Sequence, residues 1–118
     1  MEKKFRIKKN IEIQQLMQRK QTVGNIYFIL YYQENHEITN FRFALSVSKK
    51  YGKAHKRNLI KRRLREIIKT YDFKDNFEFF IVARLKAESL SFLEIKQNID
   101  GLFKKANLLK RGSDENKK

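Results

Sequence analysis

The 118-residue sequence has no cysteine, only two histidines, and 13 acidic residues against 28 lysines and arginines. Without cysteine no disulfide framework or thiolate metal site can form, and nothing points to secretion. The stretch from Met1 to Lys9 is basic, but the apolar segment of a signal peptide does not follow it. No run approaches the roughly 18 apolar residues of a membrane span either, so a cytoplasmic protein without a membrane partner is expected. The scarcity of histidine also restricts chemistry. His36 falls in a polar turn and His55 in a basic loop, and no pattern joins them into an acid–base pair. Glu34, Glu37, Asp72, Asp75, Glu78, Glu88 and Glu94 are scattered without ligand spacing, so no catalytic residue, metal site or bound cofactor is expected in the chain itself.

What is abundant is positive charge. The formal net charge is +15, and self-repulsion on that scale favours a polyanionic partner such as nucleic acid over a small-molecule ligand. Hydrophobic residues make up 41% and aromatics 13% of the sequence, enough for a core. At roughly 100 to 200 residues per domain the length allows one domain, expected over residues 1–110, with a polar tail over 111–118.

Periodicity places the elements. Asn10 can cap a first helix carrying Ile13, Leu16, Met17 and Lys20, which ends in a Gly-containing turn around Thr22 to Asn25. Ile26 to Tyr32 reads as a buried strand followed by a polar turn over residues 33–40. Phe41 to Ser48 alternates, with Phe41, Phe43, Leu45 and Val47 on one face and Arg42, Ala44, Ser46 and Ser48 on a small, polar one. Gly52 interrupts both periods in the loop that follows. From Lys56 to Tyr71, Ile60, Leu64, Ile67, Ile68 and Tyr71 form one helical stripe. Phe77 to Arg84 is a further strand, and Ser91-Phe92-Leu93-Glu94 has the form of a capping box opening a last helix towards Leu109. The order implies an α+β fold, a sandwich of helices on a small sheet.

Charge is concentrated between Lys49 and Arg65, where Lys49, Lys50, Lys53, Lys56, Arg57, Lys61, Arg62, Arg63 and Arg65 follow one another with no acid before Glu66. At about 100° per residue, Arg57, Asn58, Lys61, Arg62, Arg65 and Lys69 share one arc beside the apolar stripe; Leu59 and Arg63 lie off it. Arg57, Lys61 and Arg65 repeat about every 6 Å, close to the spacing of phosphates along a strand. A merely solvated helix face mixes signs to form i, i+4 pairs, whereas this one stacks like charges at that spacing, at a cost to the helix that an anionic partner would offset.

The segment Lys50-Tyr51-Gly52-Lys53-Ala54-His55-Lys56-Arg57-Asn58-Leu59-Ile60-Lys61-Arg62-Arg63-Leu64-Arg65-Glu66, preceded by Phe43 to Lys50, resembles the signature of the bacterial ribonuclease P protein component. The resemblance runs from Lys8-Lys9-Asn10 through Phe28 to Tyr31 and Ile81 to Arg84 into the final helix. It implies a two-layer α/β sandwich with a small mixed sheet and a left-handed β-α-β crossover, although crossovers are generally right-handed. It also implies a subunit of a ribonucleoprotein whose RNA carries out magnesium-dependent removal of the 5′ leader from precursor tRNA, with the magnesium held by that RNA. Carried onto this sequence, Lys49, Lys50, Lys53, Lys56, Arg57, Asn58, Lys61, Arg62 and Arg65 would meet the catalytic RNA. Lys9, Ile13, Met17 and Tyr31 would line a cleft for the leader between the first helix and the sheet. Ile13 and Met17 stand where the family usually has aromatic residues, which predicts weaker base stacking, and His55 replaces a small aliphatic residue. The alternative readings are a structural RNA-binding protein of the ribosomal type and, against the flanking strands, a helix-turn-helix DNA-binding protein.

Overall fold

The computed structural model describes residues 3–7, 10–18, 21–48, 50 and 52–110. Three helices, α1 (Asn10–Gln18), α2 (Ala54–Ile68) and α3 (Phe92–Ala106), accompany four strands, β1 (Thr22–Gly24), β2 (Phe28–Glu34), β3 (Arg42–Val47) and β4 (Phe77–Ala83). The strands form one mixed sheet in the order β1-β2-β4-β3. β4 lies inside it, antiparallel to β2 and parallel to β3, so α2 is the crossover of a β3-α2-β4 unit. Runs rich in Phe, Ile and Val suit an inner strand covered on both faces.

Alternation along the strands gives the sheet two chemically different faces. Phe28, Leu30, Phe43, Val47, Phe79, Ile81 and Ala83 meet the apolar stripes of α2 (Ile60, Leu64, Ile67, Ile68) and α3 (Ile95, Ile99, Leu102, Phe103, Ala106). Aromatic rings knit this core: Phe103 stands edge-on to Phe79 and Phe73 at centroid distances of 5.4 and 5.0 Å, in the arrangement favoured by ring quadrupoles. On the opposite face Ala44 and Phe80 form a smaller cluster with Leu16 of α1 and Ile7, joined by Ile13, Tyr31 and Val82. The expected helix-on-sheet architecture is present, with α2 and α3 on one face and α1 on the other.

Local details depart from the sequence reading. The turn expected around Thr22 to Asn25 contains β1, which pairs Thr22 with Tyr31 and Gly24 with Ile29; three residues are too short to show a period, and their pairing is imposed by β2. A side chain at position 24 would put a Cβ 3.0 Å from the Phe28 carbonyl oxygen, which explains the glycine. Ile26, expected in the strand, sits in the bend before β2 and is 55% exposed. Ala44, read as part of a small polar face, is buried because α1 covers it. The α3 capping box is present, with the Ser91 N–H donating to Glu94 Oε1 at 2.9 Å and the Glu94 N–H to Ser91 Oγ at 3.2 Å. The tail over 111–118, Lys9 and Lys49 lie outside the described residues.

Candidate nucleic-acid interface

Gly52 takes φ 115°, a conformation that side-chain-bearing residues rarely adopt, and so turns the chain from β3 into α2. The helix then starts without a conventional stop for its free N–H groups. Lys53 occupies the N-cap without a side-chain hydrogen bond, and no acid stands in the first turn. The open amides and the positive end of the dipole therefore face outward alongside Lys53, Lys56 and Arg57, an arrangement suited to an anion.

Burial of Ile60, Leu64, Ile67 and Ile68 fixes the rotation of α2. It leaves Asn58 and Arg62 exposed and Arg57, Lys61 and Arg65 half-buried along the expected arc, while Lys50, Lys53 and Lys56 are exposed at its entrance. Lys56 is paired with Glu88 at 3.8 Å and Lys69 with Glu66 at 4.0 Å. Among the described residues, no carboxylate forms an ion pair with Arg57, Lys61, Arg62 or Arg65. Leu59 and Arg63, off the arc, border a separate recess with Ile60 and Glu88. Arg65 differs from its neighbours: its Nε is buried with no hydrogen-bond partner. Burial first, and the charge of Arg6 second, pull its guanidinium below the ordinary value. Arg6 was not singled out in the sequence. It is 59 positions away from Arg65 in the chain, and only the pairing of the N-terminal segment with β3 brings the two together.

The second candidate region lies on the α1 face. The Tyr31 ring stacks on Phe80 with centroids 6.0 Å apart and planes 24° from parallel. Its hydroxyl makes no hydrogen bond among the described residues. Ile13, half-buried, packs like Tyr31 and Val82 against the cluster of Ile7, Leu16, Ala44 and Phe80. Met17, one turn further along α1, is 45% exposed. The next row of the sheet, Ile29, Val82 and Ser46, is also only half-buried. Apolar surface thus borders α1 at the end of the sheet from which β3 leads into the basic loop.

The other end of the same face is acidic. Glu12, Glu34, Glu37 and Glu78 border a recess of about 450 Å³ with Arg42 and His36. Glu78 is 3% exposed, and it accepts from Gln33 at 2.9 Å, Asn35 at 3.1 Å and Arg42 Nε at 3.1 Å. Burial alone would raise its pKa, but these hydrogen bonds and the Arg42 charge outweigh burial and lower it. His36 sits in this region, 3.6 Å from Glu34, whereas His55 is exposed in the first turn of α2. β3 separates the two histidines by roughly 20 Å of extended chain. Among the described residues, no three His, Cys, Asp or Glu side chains stand together to hold a metal ion, and no helix is long and apolar enough to cross a membrane.

The sequence and the fold both have relatives among known proteins. A family model described as Ribonuclease P matches residues 1–107. The chain is 47% identical over 111 residues to the ribonuclease P protein component of Phytoplasma australiense, covering 92% of this chain and 96% of that one. It is 40% identical over 115 residues to that of Geobacillus sp. (strain WCH70), covering 94% and 97%. The solved RNase P protein of Staphylococcus aureus is similar with a TM-score of 0.82 at 33% identity, over 90% of this chain and 98% of that one. The RNase P protein of Thermotoga maritima shares the fold, with a TM-score of 0.74 at 22% identity over 85% and 96%.

Proposed function

Because this chain belongs to the ribonuclease P protein component family, we propose that the cationic arc of α2 holds the catalytic RNA and that the cleft beside α1 receives the 5′ leader of precursor tRNA. The protein is an auxiliary subunit of a tRNA-processing endonuclease, and its relatives in Phytoplasma australiense and Geobacillus are named ribonuclease P protein component. The observation that supports the division of labour is the set of cations on α2 with no carboxylate partner among the described residues. Arginine can grip phosphate oxygens bidentately, lysine acts as a point charge, and Asn58 can donate to and accept from sugar or base edges. In this reading Lys49 and Lys50 extend the arc into the loop, Lys9 adds a charge to the cleft, and Tyr31 offers a ring face and a free hydroxyl to unpaired leader bases. Magnesium belongs to the RNA, and the complex works in the cytoplasm.

Reconstitution with a ribonuclease P RNA tests this. The protein should lower the magnesium concentration needed for cleavage and tighten binding of precursor over mature tRNA. If it does neither, it is a structural RNA-binding protein instead. Tyr31→Ala should weaken leader-containing substrate about tenfold, from the loss of one stacking contact of about 1 to 3 kcal/mol, and spare mature tRNA. Equal loss for both substrates would return Tyr31 to the core.

A further inference from the structure

We propose that Arg6 and Arg65 form a two-guanidinium clamp for a single phosphodiester group of the RNA, so that the interface reaches beyond α2 to the N-terminal segment. The proposal rests on the reading of α2 as an RNA-binding helix and adds to it a site composed of two remote pieces of chain.

The N-terminal segment is held firmly enough to present a side chain. The Phe5 ring stacks on Phe41 at 4.7 Å, and Asn40 Nδ2 donates to the Lys4 carbonyl at 2.9 Å. The Ile7 N–H donates to the Phe43 carbonyl at 2.8 Å, and Arg6 pairs with Phe43 as a parallel bridge. This bridge lies along the edge of β3 that β4 does not occupy. Ile7 is buried on the α1 face with Leu16, Ala44 and Phe80. Neighbouring residues in extended chain point to opposite faces, so Arg6 is turned towards the face that α2 covers, where Arg65 stands.

Arg65 supplies the reason for a ligand. Its Nε is enclosed without an acceptor, so the half-buried guanidinium, held beside a second one, has its outer nitrogens to offer a counter-ion. An exposed Arg6 alone would be an ordinary solvated cation. The pair is not explained that way, because Arg6 stands close enough to act on the charge of Arg65 while no described carboxylate forms an ion pair with either side chain. A phosphodiester carries one negative charge and two free oxygens, which two guanidinium forks can share. Arg65 is also the last rung of the Arg57, Lys61, Arg65 series, spaced about 6 Å apart, which favours a nucleic-acid backbone as the source of the phosphate.

The test is a double-mutant cycle on the full chain binding a ribonuclease P RNA at fixed salt, with wild type, Arg6→Gln, Arg65→Gln and the double variant. If the two residues share one phosphate, each single change should weaken binding about tenfold and the double change hardly more than either. The thermal midpoint of free Arg6→Gln should stay level or rise, because a like-charge contact is relieved. Multiplicative losses, unchanged binding in Arg6→Gln, or a fall in its midpoint would each overturn the clamp. Arg57→Gln separates the two levels of the argument: it should weaken binding multiplicatively with Arg6→Gln. If Arg57→Gln binds as wild type does, the reading of α2 fails and the clamp fails with it.

Discussion

α2 and α3 are both 15 residues long and pack on the same face of the sheet, but they settle their polar groups in opposite ways. α3 opens on a reciprocal Ser91–Glu94 capping box, places an acid in its first turn and two lysines in its last, and stops at Asn107 in the left-handed conformation. Its Asp100 pairs with Lys104 at 3.0 Å, one turn apart. α2 opens on Lys53 with no cap, has no acid in its first turn, and stacks Arg57, Lys61 and Arg65 at the spacing where α3 pairs opposite charges. Each of these choices costs a helix a few tenths to about 1 kcal/mol. α3 pairs its charges within the chain, whereas α2 is stabilised by its core stripe and, among the described residues, leaves Arg57, Lys61 and Arg65 without an acidic partner.

A charge satisfied inside the fold sets the upper end of the scale. Glu78→Gln should cost about 3 kcal/mol of stability in urea unfolding at neutral pH, because among the described residues it leaves Arg42 with only Glu12, at 3.4 Å, as an acidic partner. The folded-state pKa of Glu78 is lowered, so its contribution is complete above the ordinary carboxylate range and disappears as pH falls through the folded value. The gap between wild type and Glu78→Gln should therefore close in acid; a constant gap would mean that shape, not charge, is lost. Ser91→Ala should cost about 1 kcal/mol and leave RNA affinity unchanged, since the α3 cap serves only the fold. Lys53→Ser should do the reverse in a smaller measure, adding about 0.5 kcal/mol by capping α2 while weakening RNA binding a few-fold at low salt. If Lys53→Ser improved both properties, the missing cap on α2 would have no functional meaning.

Much of this contrast was legible in the sequence because it depends on period and sign. The stripe of Ile60, Leu64, Ile67 and Ile68 and the arc of Arg57, Lys61 and Arg65 are set by about 100° per residue, and the structure keeps both. The α3 capping box is a four-residue motif and was equally readable. What escaped depends on pairing between distant segments. β1 exists only because β2 lies beside it, Ala44 is buried only because α1 crosses the sheet, and Arg6 meets Arg65 only because residues 6 and 7 join the edge of β3. The candidate cleft is intermediate: the i, i+4 spacing put Ile13 and Met17 on one side of α1, but the stacking of Tyr31 on Phe80 required the β2–β4 register.

The measurement closest to the central claim is the salt dependence of protein binding to a ribonuclease P RNA, by filter binding, for wild type and for Arg57→Ala/Lys61→Ala/Arg65→Ala. If these side chains each neutralise a phosphate, the slope of log K against log salt should flatten by about 0.7 to 0.9 per contact, roughly 2 to 3 in all, with the thermal midpoint of the free protein maintained. A slope equal to that of wild type would mean that the cations of α2 face water in the complex.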